Sequence, residues 1–163
     1  MNLQEILYKV NITKVVGITN VEISDIAFDS RKIKNSFLFV AVKGTVSDGH
    51  DYIESTIKNG AIAVIVEDIP KILNEKATYV QVEDSNIALG IIAANFYDNP
   101  SEKIKLVGVT GTNGKTTIVS LLSQLFGMLN VKVGMLSTIQ NKIIDTIIPS
   151  THTTPDALQL NFL

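Results

Sequence analysis

The chain has 163 residues, 45% of them hydrophobic and 18% charged, so it can bury a core and is not disordered by composition. Its net charge of −2 gives no basic surface for nucleic acid, and the lack of cysteine excludes disulfides and thiolate chemistry. No apolar run approaches the ~20 residues of a membrane span, and the N-terminus carries no secretory pattern. These features predict a cytoplasmic protein without a membrane or nucleic-acid partner.

Residues 1–98 are predicted to form a small α/β domain. The predicted elements are strands at 22–28, 37–44, 61–67 and 77–83 and helices at 48–60 and 84–98. The strand at 37–44 is apolar enough to be covered on both faces. Gly60 stands where a helix C-cap glycine belongs, and Asp84 or Ser85 can cap the last helix. This pattern is typical of an α/β fold with at least four strands.

Residues 99–103 are polar and contain Pro100, which predicts a linker. A second α/β unit is expected over 104–163. Its predicted elements are strands at 104–111 and 131–138, a helix at about 114–129, and a last helix with Thr154 at the N-cap and Pro155 at its first position. An α/β nucleotide-binding domain needs more strands than these, so the chain is interpreted as the front part of a longer protein.

Residues 106–126 have the pattern of a phosphate-binding loop: an apolar run, a glycine-containing turn, and Lys-Thr at a helix start. Glycines let successive backbone N–H groups converge on phosphate oxygens. Lys115 would reach the β- and γ-phosphates and is the expected catalytic residue, while the Thr116 hydroxyl would bind Mg²⁺. The nucleotide-binding residues are predicted to be Thr110, Gly111, Thr112, Asn113, Gly114, Lys115 and Thr116.

The spacing of this loop is a variant of the common one. The usual first glycine position holds Val109, and the glycines stand at 108, 111 and 114. The alternative is an ordinary strand–turn–helix with a chance Gly-Lys-Thr. The string "GVTGTNGKTT" resembles the ATP loop of the Mur ligases, which add amino acids to the peptidoglycan precursor. Folylpolyglutamate synthetase is similar but continues Gly-Lys-Gly-Ser.

A second resemblance lies in residues 29–67, which are similar to the first domain of MurE- and MurF-type ligases. That domain holds the UDP end of the substrate. The resemblance implies that Ser30, in an Asp-Ser-Arg turn, contacts the UDP-sugar. Arg31 could add charge or pair with Asp29 instead. His50 is expected to cap or pack rather than to catalyse.

A third segment, residues 137–163, resembles the MurE branch of the family. The resemblance implies that Thr153 and Thr154 contact the UDP-MurNAc-dipeptide, and Thr154 could also simply cap the helix. His152 stands where asparagine is often found. MurF-type ligases share the first two resemblances and usually differ here, so they are the alternative.

The resemblance implies an ATP- and Mg²⁺-dependent ligase that adds a diamino acid, meso-diaminopimelate or L-lysine, to UDP-MurNAc-L-Ala-D-Glu through an acyl phosphate. A monomer is expected, inactive as this piece alone. Two other classes stay open: an unrelated P-loop kinase or ATPase, and a module that only binds the UDP-sugar.

Overall fold

The structure is a computed structural model that describes residues 1–44, 47–144, 146–149 and 155–163. The chain divides into two compact units, Met1–Pro100 and Ser101–Leu163. In the described part of the chain, no helix has the length and apolar character that a bilayer crossing requires.

The first unit contains a five-stranded sheet. Its strands are β1 (Ile12–Val16), β2 (Asp25–Ala27), β3 (Phe37–Val40), β4 (Ala61–Val66) and β5 (Thr78–Val82). They lie in the order β1-β5-β4-β3-β2. Strands β2 to β5 are parallel, and β1 pairs with β5 in the antiparallel direction. The carboxyl ends of four neighbouring strands therefore meet at one edge of the sheet.

Three α-helices accompany this sheet: α1 (Leu3–Ile6), α2 (Ile53–Lys58) and α3 (Ser85–Phe96). Short 3₁₀ helices at Ser30–Lys32 and Gly49–Tyr52 follow β2 and β3. Asp84 caps α3 by accepting from the N–H groups of the second and third helical residues, so the first of its two predicted caps is confirmed.

The core lies on both faces of the sheet. Phe39 and Val64 pack in one cluster with Ile53 and Ile57 of α2. Side chains alternate along a strand, so Leu38 belongs to the opposite face, and it too is fully buried. The two-sided burial predicted for residues 37–44 is therefore confirmed for β3, but the strand ends at Val40, and Lys43 and Gly44 are exposed.

Two elements of the first unit were not predicted, α1 and β1. Helix α1 has only four residues and depends on burial of Leu3 and Ile6. Strand β1 is an edge strand whose residues are mostly exposed, so its sequence lacks the apolar alternation of a half-buried strand. Its pairing with β5 joins segments far apart in sequence.

The second unit contains α4 (Lys115–Met128), α5 (Ala157–Phe162) and three short strands. The strands β6 (Gly134–Leu136), β7 (Gln140–Ile143) and β8 (Thr146–Pro149) form an antiparallel sheet in that order. The helix predicted at about 114–129 is confirmed, and the strand predicted at 131–138 is shortened to β6.

Two predictions in the second unit are wrong. The strand predicted at 104–111 is absent from the described residues: residues 105–110 have no regular secondary structure and join no sheet, and Leu106 and Val107 are exposed. An apolar strand of this kind needs hydrogen-bonded neighbours on both sides. Helix α5 begins at Ala157 with Asp156 as its N-cap, not at Pro155 with Thr154, because the Asp156 carboxylate accepts from the N–H of Gln159.

Candidate functional site

The turn before α4 contains two glycines whose backbone has a positive φ. Gly111 and Gly114 have φ values of +149° and +80°, and Gly114 stands immediately before the first helical residue. These positive φ values favour glycine over residues with a Cβ. The sequence therefore needs glycine at these two positions to turn the extended segment into the helix start.

The first turn of α4 is open. No side chain caps it, and the first intrahelical bond runs from the N–H of Ile118 to the carbonyl of Gly114. Backbone N–H groups at the first helical positions have no intrahelical acceptor and carry the positive end of the helix dipole. The N–H groups of Lys115, Thr116 and Thr117 are consequently available to an anion, and the residues from Thr110 to Lys115 are exposed.

The Lys115 ammonium is directed at its own loop. It donates hydrogen bonds to the carbonyl of Gly111 and, at 3.3 Å, to that of Thr112. The side chain thus closes the turn, and it must leave these carbonyls to reach an anion at the helix start. Both carbonyls are exposed to water, so this exchange leaves no buried group unsatisfied.

Thr116 is the residue of the loop whose hydroxyl is predicted to bind a cation. Thr116 lies in the first helical turn and is half-buried. Across the described residues there is no cluster of three or more His, Cys, Asp or Glu side chains that could hold a metal ion by itself. A Mg²⁺ ion here would therefore need the phosphate oxygens of a nucleotide as ligands in addition to the Thr116 hydroxyl.

Ser30 lies in the first unit, in the turn that follows β2. The turn is fixed by Asp29, which accepts from the backbone N–H of Arg31 and binds the Arg31 guanidinium in two hydrogen bonds of 2.9 Å. These donors lower the pKa of Asp29 to about 2. Arg31 is thus a partner of Asp29, one of its two expected roles, and Ser30 is half-buried. Thr153 and Thr154 lie outside the described residues.

A polar network at the same edge of the sheet escaped prediction. The Glu67 carboxylate, just beyond β4, accepts from the backbone N–H of Ser85 at 3.0 Å and from its hydroxyl at 2.7 Å. The Lys43 ammonium lies 3.4 Å from the other Glu67 oxygen. The Ser85 donors and then Lys43 hold the pKa of Glu67 below its usual value, and Glu67 raises the pKa of Lys43.

His50 joins this network. Its Nδ1 lies 2.6 Å from a carboxylate oxygen of Asp48, and its Nε2 lies 2.9 Å from the backbone nitrogen of Glu67. Asp48 also caps the 3₁₀ helix by accepting from the backbone N–H of His50, which lowers the pKa of Asp48. The His50 side chain is 15% exposed, so the ring is packed, as expected from the sequence. One signal was present in the sequence: Lys43 and Glu67 directly follow apolar runs.

Comparison with known proteins gives the family. The Mur ligase family, catalytic domain, matches residues 22–97, and the Mur ligase middle domain matches residues 109–163. Together these matches include both the Ser30 turn and the loop before α4. The chain belongs to the Mur ligase family.

Similar proteins share the whole of this chain. The UDP-N-acetylmuramoyl-L-alanyl-D-glutamate–2,6-diaminopimelate ligase of Cytophaga hutchinsonii is 52% identical over an alignment of 164 positions that covers 100% of this chain and 34% of that protein. The ligase of the same name from Bacteroides fragilis is 48% identical, with the same coverage. The chain thus spans about a third of the length of the curated relatives it matches.

Solved structures agree with the family. A UDP-N-acetylmuramoyl-L-alanyl-D-glutamate–2,6-diaminopimelate ligase superposes with a TM-score of 0.71 at 25% identity, over 99% of this chain and 32% of that one. MurF from Acinetobacter baumannii superposes with a TM-score of 0.62 at 26% identity, over 78% of this chain and 28% of that one. The α/β class predicted from sequence is confirmed.

Proposed function

We propose that this protein works in an ATP-dependent ligase that joins diaminopimelate to UDP-MurNAc-L-Ala-D-Glu. The names of relatives 45–52% identical over the whole chain support this reaction. The observation that carries the nucleotide part is the uncapped first turn of α4 behind Gly111 and Gly114. The reaction is cytoplasmic and the protein a monomer under this proposal.

The loop from Thr110 to Thr116 binds the phosphates of ATP. Backbone N–H groups of the first turn of α4 donate to the phosphate oxygens, and Lys115 leaves the carbonyls of Gly111 and Thr112 to neutralise the β- and γ-phosphates. Thr116 contributes a hydroxyl to Mg²⁺, which when bound screens phosphate charge. Positioning and charge neutralisation are the main demands of phosphoryl transfer.

The chemistry requires two displacement steps. A carboxylate oxygen of D-glutamate attacks the γ-phosphorus, the bond to the bridging oxygen breaks, and ADP leaves. The amine of the incoming diamino acid then attacks the acyl carbon, the bond to the phosphate oxygen breaks, and the amine loses a proton as the amide forms. Lys115 is the residue of this chain assigned to the first step, because its ammonium offsets the charge that develops on the transferred group.

The first unit supplies the UDP-sugar site in this proposal. Ser30 offers a hydroxyl at the carboxyl edge of the parallel sheet, where ligands of open α/β sheets bind. Thr153 and Thr154 are proposed to contact the dipeptide part of the substrate. A MurF-type ligase adding D-Ala-D-Ala is less well supported, since the relatives that match the whole chain at up to 52% identity are named diaminopimelate ligases, whereas MurF from Acinetobacter baumannii matches 78% of the chain at 26% identity.

Calorimetry with Mg-ATP tests the nucleotide assignment. Lys115→Ala should weaken binding by about tenfold or more, because it removes hydrogen bonds to a charged group. Lys132→Ala, which truncates an exposed lysine in the same unit, is the matched control and should bind as the wild type does. Equal ATP affinity in the wild type and Lys115→Ala would contradict the assignment.

A second titration tests the other end of the substrate. Ser30→Ala should weaken binding of UDP-MurNAc-L-Ala-D-Glu and leave Mg-ATP binding unchanged, whereas Lys115→Ala should do the reverse. Release of ADP from ATP with a small alcohol as acceptor would support a kinase instead. Dipeptide-substrate binding without any ATP binding would reduce the function of this chain to a UDP-sugar module.

A further inference from the structure

The loop that follows β3 is folded back on itself. The N–H of Gly49 donates to the carbonyl of Val42 at 2.9 Å, and Lys43 and Asp48 form an isolated antiparallel bridge. A Cβ on Gly49 would lie 2.7 Å from the backbone nitrogen of Val42, closer than real Cβ contacts. The two sides of this loop therefore touch through their backbones, and glycine is required where they meet.

His50 fixes this loop to the next strand. A backbone N–H can only donate, so the bond from Glu67 N to His50 Nε2 makes Nε2 an acceptor without a proton. The neutral ring then carries its proton on Nδ1, which donates to the Asp48 carboxylate. The ring is thus held at both nitrogens, one bond inside the loop and one to the end of β4.

The Glu67 side chain holds the same loop through a second set of contacts. Its carboxylate holds the Lys43 ammonium on one side and the first residue of α3, Ser85, on the other. The Ser85 hydroxyl is also 3.4 Å from the backbone nitrogen of Lys43. The Glu67 carboxylate, beyond β4, therefore connects Lys43, beyond β3, with Ser85, beyond β5, although these three residues are far apart in sequence.

This loop lies beside the Ser30 turn. Strands β2 and β3 are hydrogen-bonded parallel neighbours, so the segments leaving their carboxyl ends emerge at the same edge. The 3₁₀ helix Ser30–Lys32 contacts α2, and the hydroxyl of Tyr52, the residue directly before α2, accepts from Ser47 of the loop at 3.3 Å. A ligand held by Ser30 at this edge therefore meets the loop as well.

We propose that His50 and Glu67 are positioning residues that hold the loop after β3, described at 41–44 and 47–50, in the conformation that receives the nucleotide end of the UDP-sugar substrate. The inference rests on the proposed function for the identity of the ligand. A loop already fixed before binding loses less conformational entropy when the ligand binds, so the network contributes affinity without touching the ligand.

The histidine tautomer is the first measurement. The chain has two histidines, so nitrogen-15 spectra of the rings, with His152→Gln for assignment, identify His50 directly. The wild type should show His50 neutral with its proton on Nδ1. A proton on Nε2 instead would overturn the proposal, because Nε2 could then not accept from Glu67.

Isosteric variants supply the second measurement. Glu67→Gln keeps the shape but removes the charge that holds Lys43, and His50→Asn removes the acceptor for the Glu67 N–H. Both should speed hydrogen exchange at the Lys43 and Gly49 amides and weaken UDP-MurNAc-L-Ala-D-Glu binding by about five- to tenfold, within the range of the net effect of one ordinary hydrogen bond. His50→Gln, whose longer side chain can carry an oxygen to the position of Nε2, should recover part of the affinity.

Asp68→Asn is the matched control for Glu67→Gln. Asp68 is also 3.5 Å from the Lys43 ammonium, but its side chain is 84% exposed, so its removal should change exchange and affinity less than about twofold. Mg-ATP binding should be unchanged in every variant. Unchanged loop exchange and substrate affinity in both Glu67→Gln and His50→Asn would overturn the proposal.

The two proposals fail in different ways. If the wild type does not bind UDP-MurNAc-L-Ala-D-Glu at all, the proposed function is wrong and the ligand assigned to the loop is wrong with it. The tautomer and the exchange rates still decide whether His50 and Glu67 hold the loop. If the wild type binds and the variants bind equally well, only the positioning role is overturned.

Discussion

Replacement of Asn95 by alanine should destabilise the first unit. The side-chain amide of Asn95, 8% exposed on α3, donates to the carbonyl of Ile6 at 2.9 Å and to that of Tyr8 at 2.6 Å. These acceptors lie at the end of α1, which at four residues is too short to be stable without tertiary contacts. One side chain therefore holds the N-terminal segment against the third helix.

The magnitude follows from the two bonds. The partly buried bond to the Tyr8 carbonyl contributes about 1 kcal/mol net, and leaving the buried Ile6 carbonyl without its donor costs about 1–3 kcal/mol, so Asn95→Ala should lower the free energy of unfolding by about 2–4 kcal/mol. That is a large share of the roughly 5–15 kcal/mol typical of a domain. Asn95→Asp should be worse still, because a carboxylate would face two carbonyl oxygens.

Urea unfolding followed by tyrosine fluorescence is a suitable assay. All four tyrosines of the chain, at positions 8, 52, 79 and 97, lie in the first unit, and the chain has no tryptophan, so the signal reports that unit selectively. Asn86→Ala, an exposed asparagine on the same helix, is the control and should change stability by less than about 0.5 kcal/mol. If Asn95→Ala behaves like the control, the argument from the two carbonyls is refuted.

Two further predictions concern the same unit. Gly60→Ala should lower the free energy of unfolding in the urea assay by about 2–4 kcal/mol, because φ at Gly60 is +113° and the new Cβ would lie 2.8 Å from the Cα of Asn35. The control is Gly90→Ala, which has open space around it and should be neutral or stabilising. Equal effects of the two substitutions would contradict this reasoning. The Arg31 donors depress the Asp29 pKa to about 2, so their stabilisation is present above the unfolded pKa and is lost as pH falls from about 4 to about 2. In Asp29→Asn, the loss of unfolding free energy between about pH 4 and about pH 2 should be smaller than in the wild type by about 1 kcal/mol, a value discounted for the exposure of Arg31. An unchanged pH dependence would count against the Asp29–Arg31 ion pair.

Local signals in the sequence predicted much of the first unit. Strands β2 to β5 were predicted from their apolar runs, and the cap Asp84 was predicted from its position before a helical pattern. Strand β1 was missed because it is an exposed edge strand, with a register shift and a partner about 65 residues away in sequence. The strand at 104–111 was predicted wrongly because an apolar run indicates only that a segment can form a strand. It does not indicate whether a neighbouring strand is present to pair with it.

The Glu67 network could not be predicted from local sequence patterns, because its contacts depend on the order of the strands in the sheet. Asp48 and His50 belong to a local motif, but their connection to Glu67 spans 17 residues, and Glu67 reaches Ser85 across 18 more. These residues, far apart in sequence, come into contact only because β3, β4 and β5 are consecutive parallel neighbours. This order brings the first residues after each strand to one edge of the sheet. Once such an order is known, the polar residues that directly follow apolar strands become candidates for one shared site. Because the four ends meet in chain order, Ser30, Lys43 and Glu67 lie beyond three successive strands along that edge, and the proposed positioning role of the network depends on this order.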